Sequence, residues 1–179
     1  MMGADESTRW ALAARDGEPA AAAAFIRATQ AEVWRFVASL VDAGTADDLT
    51  QETYLRAFRA LPAFEARSSV RTWLFGIARR VCADHIRSAV RGRRLIARAA
   101  ALEPASNPGS DDPAGAVGAA ELLKHLNSGQ REAFVLTQVL GLSYEEAASA
   151  LDVPIGTIRS RVARARVELV AAVQEALAA

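Results

Sequence analysis

Residues that support redox or metal chemistry are scarce in this chain. Cys82 is the only cysteine, which excludes an intramolecular disulfide, and His85 and His125 are the only histidines, so we expect no metal site and no cofactor. Long apolar runs are also absent, although a membrane span needs about 20 apolar residues in succession. Residues 1–6 lack the pattern of a secretory signal. The sequence therefore predicts a cytoplasmic protein that does not enter a membrane.

An excess of one charge is missing as well. The chain has 21 basic and 21 acidic residues, so its formal net charge is zero and does not indicate a nucleic-acid partner. Of its 179 residues, 51% are hydrophobic, which is enough for one large domain or two small ones with buried cores. Any indication of function must therefore come from where the charges lie.

The alternation of β-strands is also missing, and nearly every segment has the apolar spacing of three or four residues that predicts helices. In the first half, helices are predicted at about 19–44, 45–61 and 69–90. Gly44 is a candidate C-cap for the first, and Thr45 or the pair Asp47 and Asp48 can cap the second. The fold class is therefore all-α, and these helices form a small bundle.

The composition changes between the two halves. Residues 103–115 contain three prolines, two glycines and no large apolar side chain, which predicts a flexible linker. Beyond it, helical segments are predicted at about 117–127, 129–140, 143–151 and 155–177. We therefore expect two small helical domains, at residues 1–91 and 117–179, joined by a linker at 92–116.

The second domain has the pattern of a helix-turn-helix. Ser143 and Glu146 form a capping box that starts one helix, and this helix stops at residues 152–154, where another begins at once. On the last helix, apolar residues recur at steps of three and four and predict a buried stripe, which consists of Ile155, Ile158, Val162, Ala165 and Leu169.

Small and basic side chains cover the rest of this last helix, and no acid occurs before Glu168. Those that point away from the stripe are Gly156, Thr157, Ser160, Ala163 and Arg164. Those that flank it are Arg159, Arg161 and Arg166. Small residues let a helix approach the major groove, and arginine can bind guanine or phosphate, so the pattern predicts a DNA-recognition helix. A solvated surface helix is the alternative, because arginine is also a good helix former.

Two further surfaces, of opposite charge, are predicted in the first domain. Eight arginines between Arg67 and Arg94 are opposed only by Asp84, and the aromatic residues Phe64 and Trp73 accompany them, as in single-strand binding. Trp73 also fits the bundle core. The second surface lies on one side of the preceding helix, is acidic and suits the docking of a protein. It consists of Asp48, Gln51 and Glu52.

Three strings together resemble the extracytoplasmic-function (group 4) branch of the sigma-70 family of RNA polymerase sigma factors. The strings are DDLTQETYLRAF at 47–58, RTWLFGIAR at 71–79, and GLSYEEAA at 141–148 followed by VPIGTIRSRV at 153–162. Their order and spacing extend the resemblance over nearly the whole chain, apart from the linker and the extreme N-terminus.

The resemblance implies a role for each surface. In that family the acidic helix docks on the β′ clamp helices of the polymerase core, and the β subunit is a further partner; the residues implied here are Asp48, Gln51 and Glu52. The next loop and helix melt the minus-ten promoter element, which implies Phe64, Arg67, Ser68, Arg79, Arg80 and Asp84. The helix-turn-helix binds the minus-35 element, which implies Thr157, Arg159, Ser160, Arg161, Ala163 and Arg164. Many members have Asn where this chain has Arg80, so the base read there is not predicted.

We therefore expect a promoter-specificity factor that binds polymerase core and both double- and single-stranded promoter DNA, with no small-molecule substrate and no catalytic residue. The resemblance also permits an anti-sigma factor as a partner. One alternative is a helix-turn-helix regulator that acts without joining polymerase. Another is a thiol enzyme that uses Cys82 and His85, which share a helical face.

Overall fold

The structure, a computed structural model, describes residues 4–100 and 119–178, and these form helices and turns without a strand. The prediction of an all-α fold is confirmed. The helices are α1 (Ala4–Arg15), α2 (Pro19–Ala38), α3 (Ala43–Ala60), α4 (Val70–Ala100), α5 (Ala119–Lys124), α6 (Ser128–Phe134), α7 (Tyr144–Leu151) and α8 (Ile155–Ala178). The predicted linker segment 103–115 lies outside the described residues.

Helices α1 to α4 form the bundle of the first half. Its centre is apolar and aromatic: Phe36 and Phe75 meet edge to face, with ring centroids 5.5 Å apart, and both are fully buried. Phe25 packs in the same way on Tyr54, whose hydroxyl hydrogen-bonds to the buried Thr29 hydroxyl at 2.7 Å. Burying each of these rings contributes about 1.5–3 kcal/mol, and buried aliphatic side chains such as Val33 and Leu74 contribute to the same core.

Local details of the first half differ from the sequence predictions. Helix α1 was not predicted, because its apolar residues are mostly alanines, yet Ala11 is fully buried against the bundle. Helix α2 ends at Ala38, so the prediction of Gly44 as its C-cap was wrong. The predicted caps of the next helix were also wrong: Asp42 caps α3, and its carboxylate accepts from the Thr45 backbone N–H at 3.0 Å.

Helix α4 is longer than predicted. It begins at Val70 and continues to Ala100, ten residues beyond the predicted end at Val90. The first residues assigned to the linker, 92–100, are therefore helical. Alanine and arginine are good helix formers, and neither glycine nor proline interrupts the segment after Gly92.

The second half contains the predicted helix-turn-helix. The capping box of α7 is present, since the Ser143 hydroxyl accepts from the Glu146 N–H at 3.1 Å and the Glu146 carboxylate accepts from the Ser143 N–H at 2.9 Å. Asp152 ends α7 in the left-handed conformation, with φ 52°. On α8 the predicted stripe is buried at Ile158, Val162 and Ala165. The prediction of a helix-turn-helix is confirmed.

The two halves pack against each other through α4 and α7, and their apolar side chains form one continuous core. A Cβ placed on Gly76 of α4 would lie 3.4 Å from the Ala150 carbonyl oxygen of α7, so the backbones approach closely there. The Arg71 guanidinium donates to the Leu140 carbonyl at 3.0 Å, and the Ser69 hydroxyl donates to Glu146 at 3.5 Å. We call this arrangement of the two halves the closed form.

Candidate nucleic-acid and polymerase interfaces

The acidic surface on α3 is accessible. Asp48 and Gln51 are exposed, and Glu52 is half-buried because its carboxylate accepts from the Arg56 Nε at 2.7 Å. Beside them, a groove of about 480 Å³ separates α3 from α2, and Gln51 is one of its lining residues. The indole of Trp34 lines the same groove and donates to the Asp47 carboxylate at 2.7 Å. A polar helix face therefore adjoins a groove that is lined mostly by polar side chains and contains the indole of Trp34.

Two apolar residues of this surface were missed by the sequence reasoning. Trp34 of α2 is 39% exposed, and Leu55, four residues after Gln51 on α3, is 55% exposed. Tryptophan is enriched among the residues that contribute most to protein binding, so an exposed Trp34 beside the acidic surface favours a protein-binding role. The sequence does contain a signal for Leu55. It follows Asp48 and Gln51 at helical spacing, so it lies on the polar side of the same helix.

An ion-pair network joins the acidic surface to α4. Arg56 donates to Glu52 at 2.7 Å and to Asp84 at 2.7 Å, and Asp84 also accepts from Arg87 at 2.6 Å. The hydrogen bonds from Arg56 and Arg87 lower the pKa of Asp84 below its ordinary value. Asp84, predicted at the minus-ten strand, is therefore already paired with two arginines. The two predicted surfaces share this network through Arg56.

The loop before α4 forms a small cavity. Its volume is about 240 Å³, and Arg67 and Ser68 line it together with the rings of Phe64 and Trp73, whose centroids are 4.8 Å apart. Phe64 is buried, Arg67 is exposed and pairs with Glu65, and Ser68 is half-buried. The predicted loop residues are thus brought together around one cavity, and Trp73 both packs and lines it.

Helix α1 holds this loop at both ends. The Arg15 guanidinium donates to the Phe64 carbonyl at 3.1 Å, and the Thr8 hydroxyl accepts from the Val70 N–H at 3.1 Å. Between these anchors, Ala66 has φ 53°, a left-handed conformation that costs a non-glycine residue about 1–2 kcal/mol. The contacts from α1 join residues far apart in the chain, so no local pattern could reveal them.

The second half covers part of the predicted minus-ten surface. Arg79 pairs with Glu132 of α6 at 3.3 Å. Arg80 is exposed but lines a cavity of about 130 Å³ whose other wall includes Ser149 and Ala150 of α7. Both arginines therefore face the second half in the closed form.

The recognition helix α8 presents most of its predicted residues outward. Arg159, Ala163 and Arg164 are exposed, and Thr157 and Ser160 are half-buried, with the Ser160 hydroxyl donating to the Thr157 carbonyl at 3.0 Å. Arg161 departs from this group. Its guanidinium lies against Gly129, where a Cβ would meet it at 3.0 Å, and it lines a crevice between the two halves.

Cys82 is poorly suited to act as a nucleophile. It is 1% exposed, and burial, with a smaller contribution from the charge of Glu132, raises the pKa of its thiol to about 12. In the described part of the chain, no three His, Cys, Asp or Glu side chains are grouped as a metal site would require. Over the same residues, no helix has the length and hydropathy to cross a bilayer.

Comparisons with known proteins agree with this arrangement. Residues 25–92 match the family model of Sigma-70 region 2, and residues 119–169 match that of Sigma-70 region 4. The ECF RNA polymerase sigma factor SigC of Mycobacterium tuberculosis is 54% identical over 169 residues, which cover 92% of this chain and 89% of that protein. The ECF RNA polymerase sigma-E factor of Escherichia coli K12 is 33% identical over 153 residues, covering 76% of this chain and 78% of that one.

Solved structures are similar as well. CnrH, determined in complex with the cytosolic domain of CnrY, aligns with a TM-score of 0.72 and 26% identity, over 95% of this chain and 98% of that chain. The sigma factor RpoE from Bartonella quintana, determined with the anti-sigma factor NepR, aligns with a TM-score of 0.61 and 32% identity, over 80% and 91%.

Proposed function

Since the chain belongs to the sigma-70 family, as an extracytoplasmic-function RNA polymerase sigma factor that directs promoter-specific transcription initiation, we propose how its surfaces divide that task. The first domain docks on core polymerase and melts the minus-ten element, and the second binds the minus-35 element. The chain contributes binding energy and no catalytic group, and it acts in the cytoplasm. A helix-turn-helix regulator that never joins polymerase would not account for the region 2 match.

The observation that carries the docking assignment is the exposed acidic surface beside two exposed apolar side chains, Trp34 and Leu55. Asp48 and Gln51 can pair with basic and polar groups of the β′ clamp helices, while Trp34 and Leu55 supply apolar area that an interface centre needs. Charge complementarity would direct the approach, and burial of the two apolar side chains would provide affinity.

A second apolar surface supports contact with the polymerase β subunit. The C-terminal half of α8 exposes an apolar stripe at helical spacing, formed by Val167, Val170, Val173 and Leu177. Exposed stripes of this kind are typical of helices that lie in a groove of a partner. We assign this stripe to the β subunit because the arginines of the same helix, Arg159 and Arg164, remain free to reach DNA.

Promoter binding requires the closed form to open. Arg79, Arg80 and Arg161 face the crevice or cavities between the two halves, so promoter DNA cannot reach all three at once in the closed form. Polymerase favours the open form if it binds that form more tightly. Because both DNA-binding surfaces belong to one chain, two weak DNA contacts can then act together through effective concentration, so we expect the free chain to bind promoters weakly.

The likeness to a sigma factor determined with an anti-sigma factor supports a regulator of that kind for this chain. Such a partner would cover the surfaces that polymerase and DNA use. The acidic surface with Trp34 and the exposed arginines of α8 are the regions it would compete for.

In vitro transcription with sigma-free core polymerase and a library of genomic promoters tests the proposal. Defined start sites are expected with the wild-type chain. The Asp48→Ala/Gln51→Ala variant should lose core binding and transcription, whereas Glu18→Ala, an exposed acid whose side chain makes no cap hydrogen bond, should retain both. Absence of core binding by the wild-type chain would refute the proposal.

The same assay tests the recognition helix. Arg164→Gln is expected to weaken promoter binding by holoenzyme by about 1–3 kcal/mol if Arg164 contacts a base, and to reduce the salt dependence by about one charge if it contacts phosphate. Arg27→Gln replaces an exposed arginine on α2 and removes the same charge. It should change neither the affinity of holoenzyme for the promoter nor the salt dependence of that affinity. Equal effects of Arg164→Gln and Arg27→Gln on promoter binding would show that this binding depends only on the net charge of the chain.

A further inference from the structure

A basic crevice lies between the two halves of the closed form. Its volume is about 490 Å³, within the range of small-molecule sites. Among the described residues that line it, four are arginines and one is an acid, Glu132. Arg79 and Arg87 come from α4 of the first half, and Arg131 and Arg161 come from α6 and α8 of the second. Cationic side chains of both domains therefore line one crevice.

The arginines of the second half are incompletely satisfied there. The Arg161 Nη1 is buried without a hydrogen-bond partner among the described residues, and so is the Arg131 Nε. The remaining Arg131 nitrogens donate to backbone carbonyls of Ser39, Lys124 and Leu126, which carry no full charge. Burial also lowers the pKa of Arg131. A buried guanidinium nitrogen without an acceptor is costly, so these groups favour a partner that brings negative charge.

Glu132 does not supply that charge to Arg161. Its carboxylate pairs with Arg79 at 3.3 Å, and Arg87 is paired with Asp84 at 2.6 Å. The crevice thus keeps an excess of positive charge after its internal ion pairs are formed. Arginine forms bidentate hydrogen bonds with phosphate oxygens, and several arginines around one cavity suit an anion with more than one phosphate group.

We propose that the crevice binds a small anion with two or three linked phosphates, which bridges the arginines of the two domains and stabilises the closed form. Arg79 and Arg161 are also predicted to contact promoter DNA, so the anion and the promoter would compete for the same side chains. As far as transcription is concerned, the inference rests on the proposed function; binding of the anion to the free chain does not.

Calorimetric titration of the full free chain with inorganic tripolyphosphate, at constant ionic strength, tests the binding. Arg161→Gln should lower the affinity about tenfold or more, which corresponds to about 1.4 kcal/mol. The Arg161 side chain makes no hydrogen bond among the described residues, so this variant should fold. Arg166→Gln is the matched control, because Arg166 lies on the same helix, is exposed and pairs with Gln138 outside the crevice.

A second variant keeps the charge and moves the side chain. In Gly129→Ala the new Cβ would lie 3.0 Å from the Arg161 guanidinium carbon and displace it from its place in the crevice. Alanine is the better helix former, so the fold should persist. Reduced affinity in both Gly129→Ala and Arg161→Gln, with wild-type affinity in Arg166→Gln, supports the site. Equal affinity in all variants, or binding that a single inorganic phosphate matches, overturns it.

Separate arms of the titration distinguish the source of the phosphates. Tripolyphosphate and ATP compete for one site if the triphosphate is the recognised group, and tighter binding of ATP identifies a nucleotide as the ligand. A short DNA duplex that displaces tripolyphosphate with the same dependence on Arg161 is expected from shared arginines. Binding of the duplex alone, with none of the polyphosphate, would mean that the crevice is only a DNA surface.

Assembly with core polymerase provides a readout that is independent of the calorimetric titration. Tripolyphosphate should reduce the rate with which wild-type chain joins core polymerase, and should leave Arg161→Gln less affected than Arg166→Gln. Anion binding without this inhibition leaves the site standing but overturns its coupling to closure. If the proposed function itself is wrong, transcription will be absent even when no anion is added.

Discussion

At the scale of single residues, a contact that holds the loop predicted to bind the minus-ten element is made from outside the sequence motifs. Arg15 belongs to α1, which precedes the matched region 2 segment, yet its guanidinium donates to the Phe64 carbonyl in the loop that lines the small cavity before α4. The hydrogen bond spans 49 positions in sequence. It restrains a loop whose apex, Ala66, is held in a conformation that alanine disfavours.

Replacing Arg15 should therefore impair reading of the minus-ten element more than docking. Arg15→Ala is expected to destabilise the chain by about 1.5 kcal/mol, the lower range for a hydrogen bond to a charged group, since the site is partly exposed. It should also reduce the discrimination between wild-type and substituted minus-ten elements in transcription, with unchanged affinity for core. Urea unfolding measures the first effect, and paired promoters measure the second.

Arg27→Ala, on an exposed position of α2, is the control for lost charge. Unchanged promoter discrimination in Arg15→Ala, at any stability, would mean that α1 supports the fold without positioning the loop.

At the scale of helices, the sequence predicted what is local and periodic. The capping box of Ser143 and Glu146 and the buried stripe of α8 depend on residues three or four apart, and both are present. The start of α3 was mispredicted because several acids near Thr45 were equivalent in sequence, and only the backbone path selects Asp42. The bridge that Arg56 makes to Asp84 joins residues 28 positions apart, so pattern alone could not place it.

In the candidate sites, too, local periodic features could be predicted from the sequence and tertiary contacts could not. The helical wheel of α8 correctly separated the buried stripe from Arg159 and Arg164, which are exposed. It could not predict that Arg161 turns toward Gly129, because that contact arises only when α8 packs on α6. Likewise the exposure of Trp34 depends on the groove between α2 and α3, which is a tertiary feature.

The crossing of α4 and α7 offers a test at the scale of elements. Gly76 lets the helices approach, since even a Cβ there would contact the Ala150 carbonyl. Gly76→Gln should therefore separate the halves and increase the radius of gyration of the free chain. It should also raise the apparent affinity of the chain for core polymerase, because a larger fraction of the free chain is already in the open form. Small-angle scattering and core-binding titrations measure the two effects.

Gly92→Gln on the same helix is the matched control, because no atom lies within 4 Å of a Cβ at Gly92. Gly76→Ala is a milder variant that should stay closed. A compact Gly76→Gln chain with wild-type affinity for core would show that the α4–α7 contact does not limit docking; retained helical content confirms that the variant is folded.

At the scale of the whole molecule, closure links the surfaces that function separately. The ion pair of Arg79 with Glu132 and the hydrogen bond of Arg71 with the Leu140 carbonyl use side chains of the first domain to hold the second. Half-buried ion pairs of this kind contribute modestly, so closure rests mainly on the shared apolar core. An equilibrium of this kind can be shifted by any partner that prefers one form, whether polymerase or an anion.

Cys82 reports on this equilibrium, because it lines the crevice between the halves and is buried in the closed form. Burial raises the pKa of its thiol to about 12, so the native chain binds the thiol proton more tightly than an unfolded chain, where the pKa is about 8.5. The stability that this proton contributes to the native chain is complete below pH 8.5, and it is lost as pH rises from there toward 12. Alkylation by iodoacetamide should therefore be slow at pH 8, and its rate should keep rising about tenfold per pH unit beyond pH 9. In urea the rate should level off above about pH 9.5, because an exposed thiol is half ionised at its pKa of about 8.5 and almost fully ionised one pH unit higher. If the native chain levels off at the same pH as the urea-unfolded chain, the thiol is in contact with water and the closed form is not the resting state of the free sigma factor.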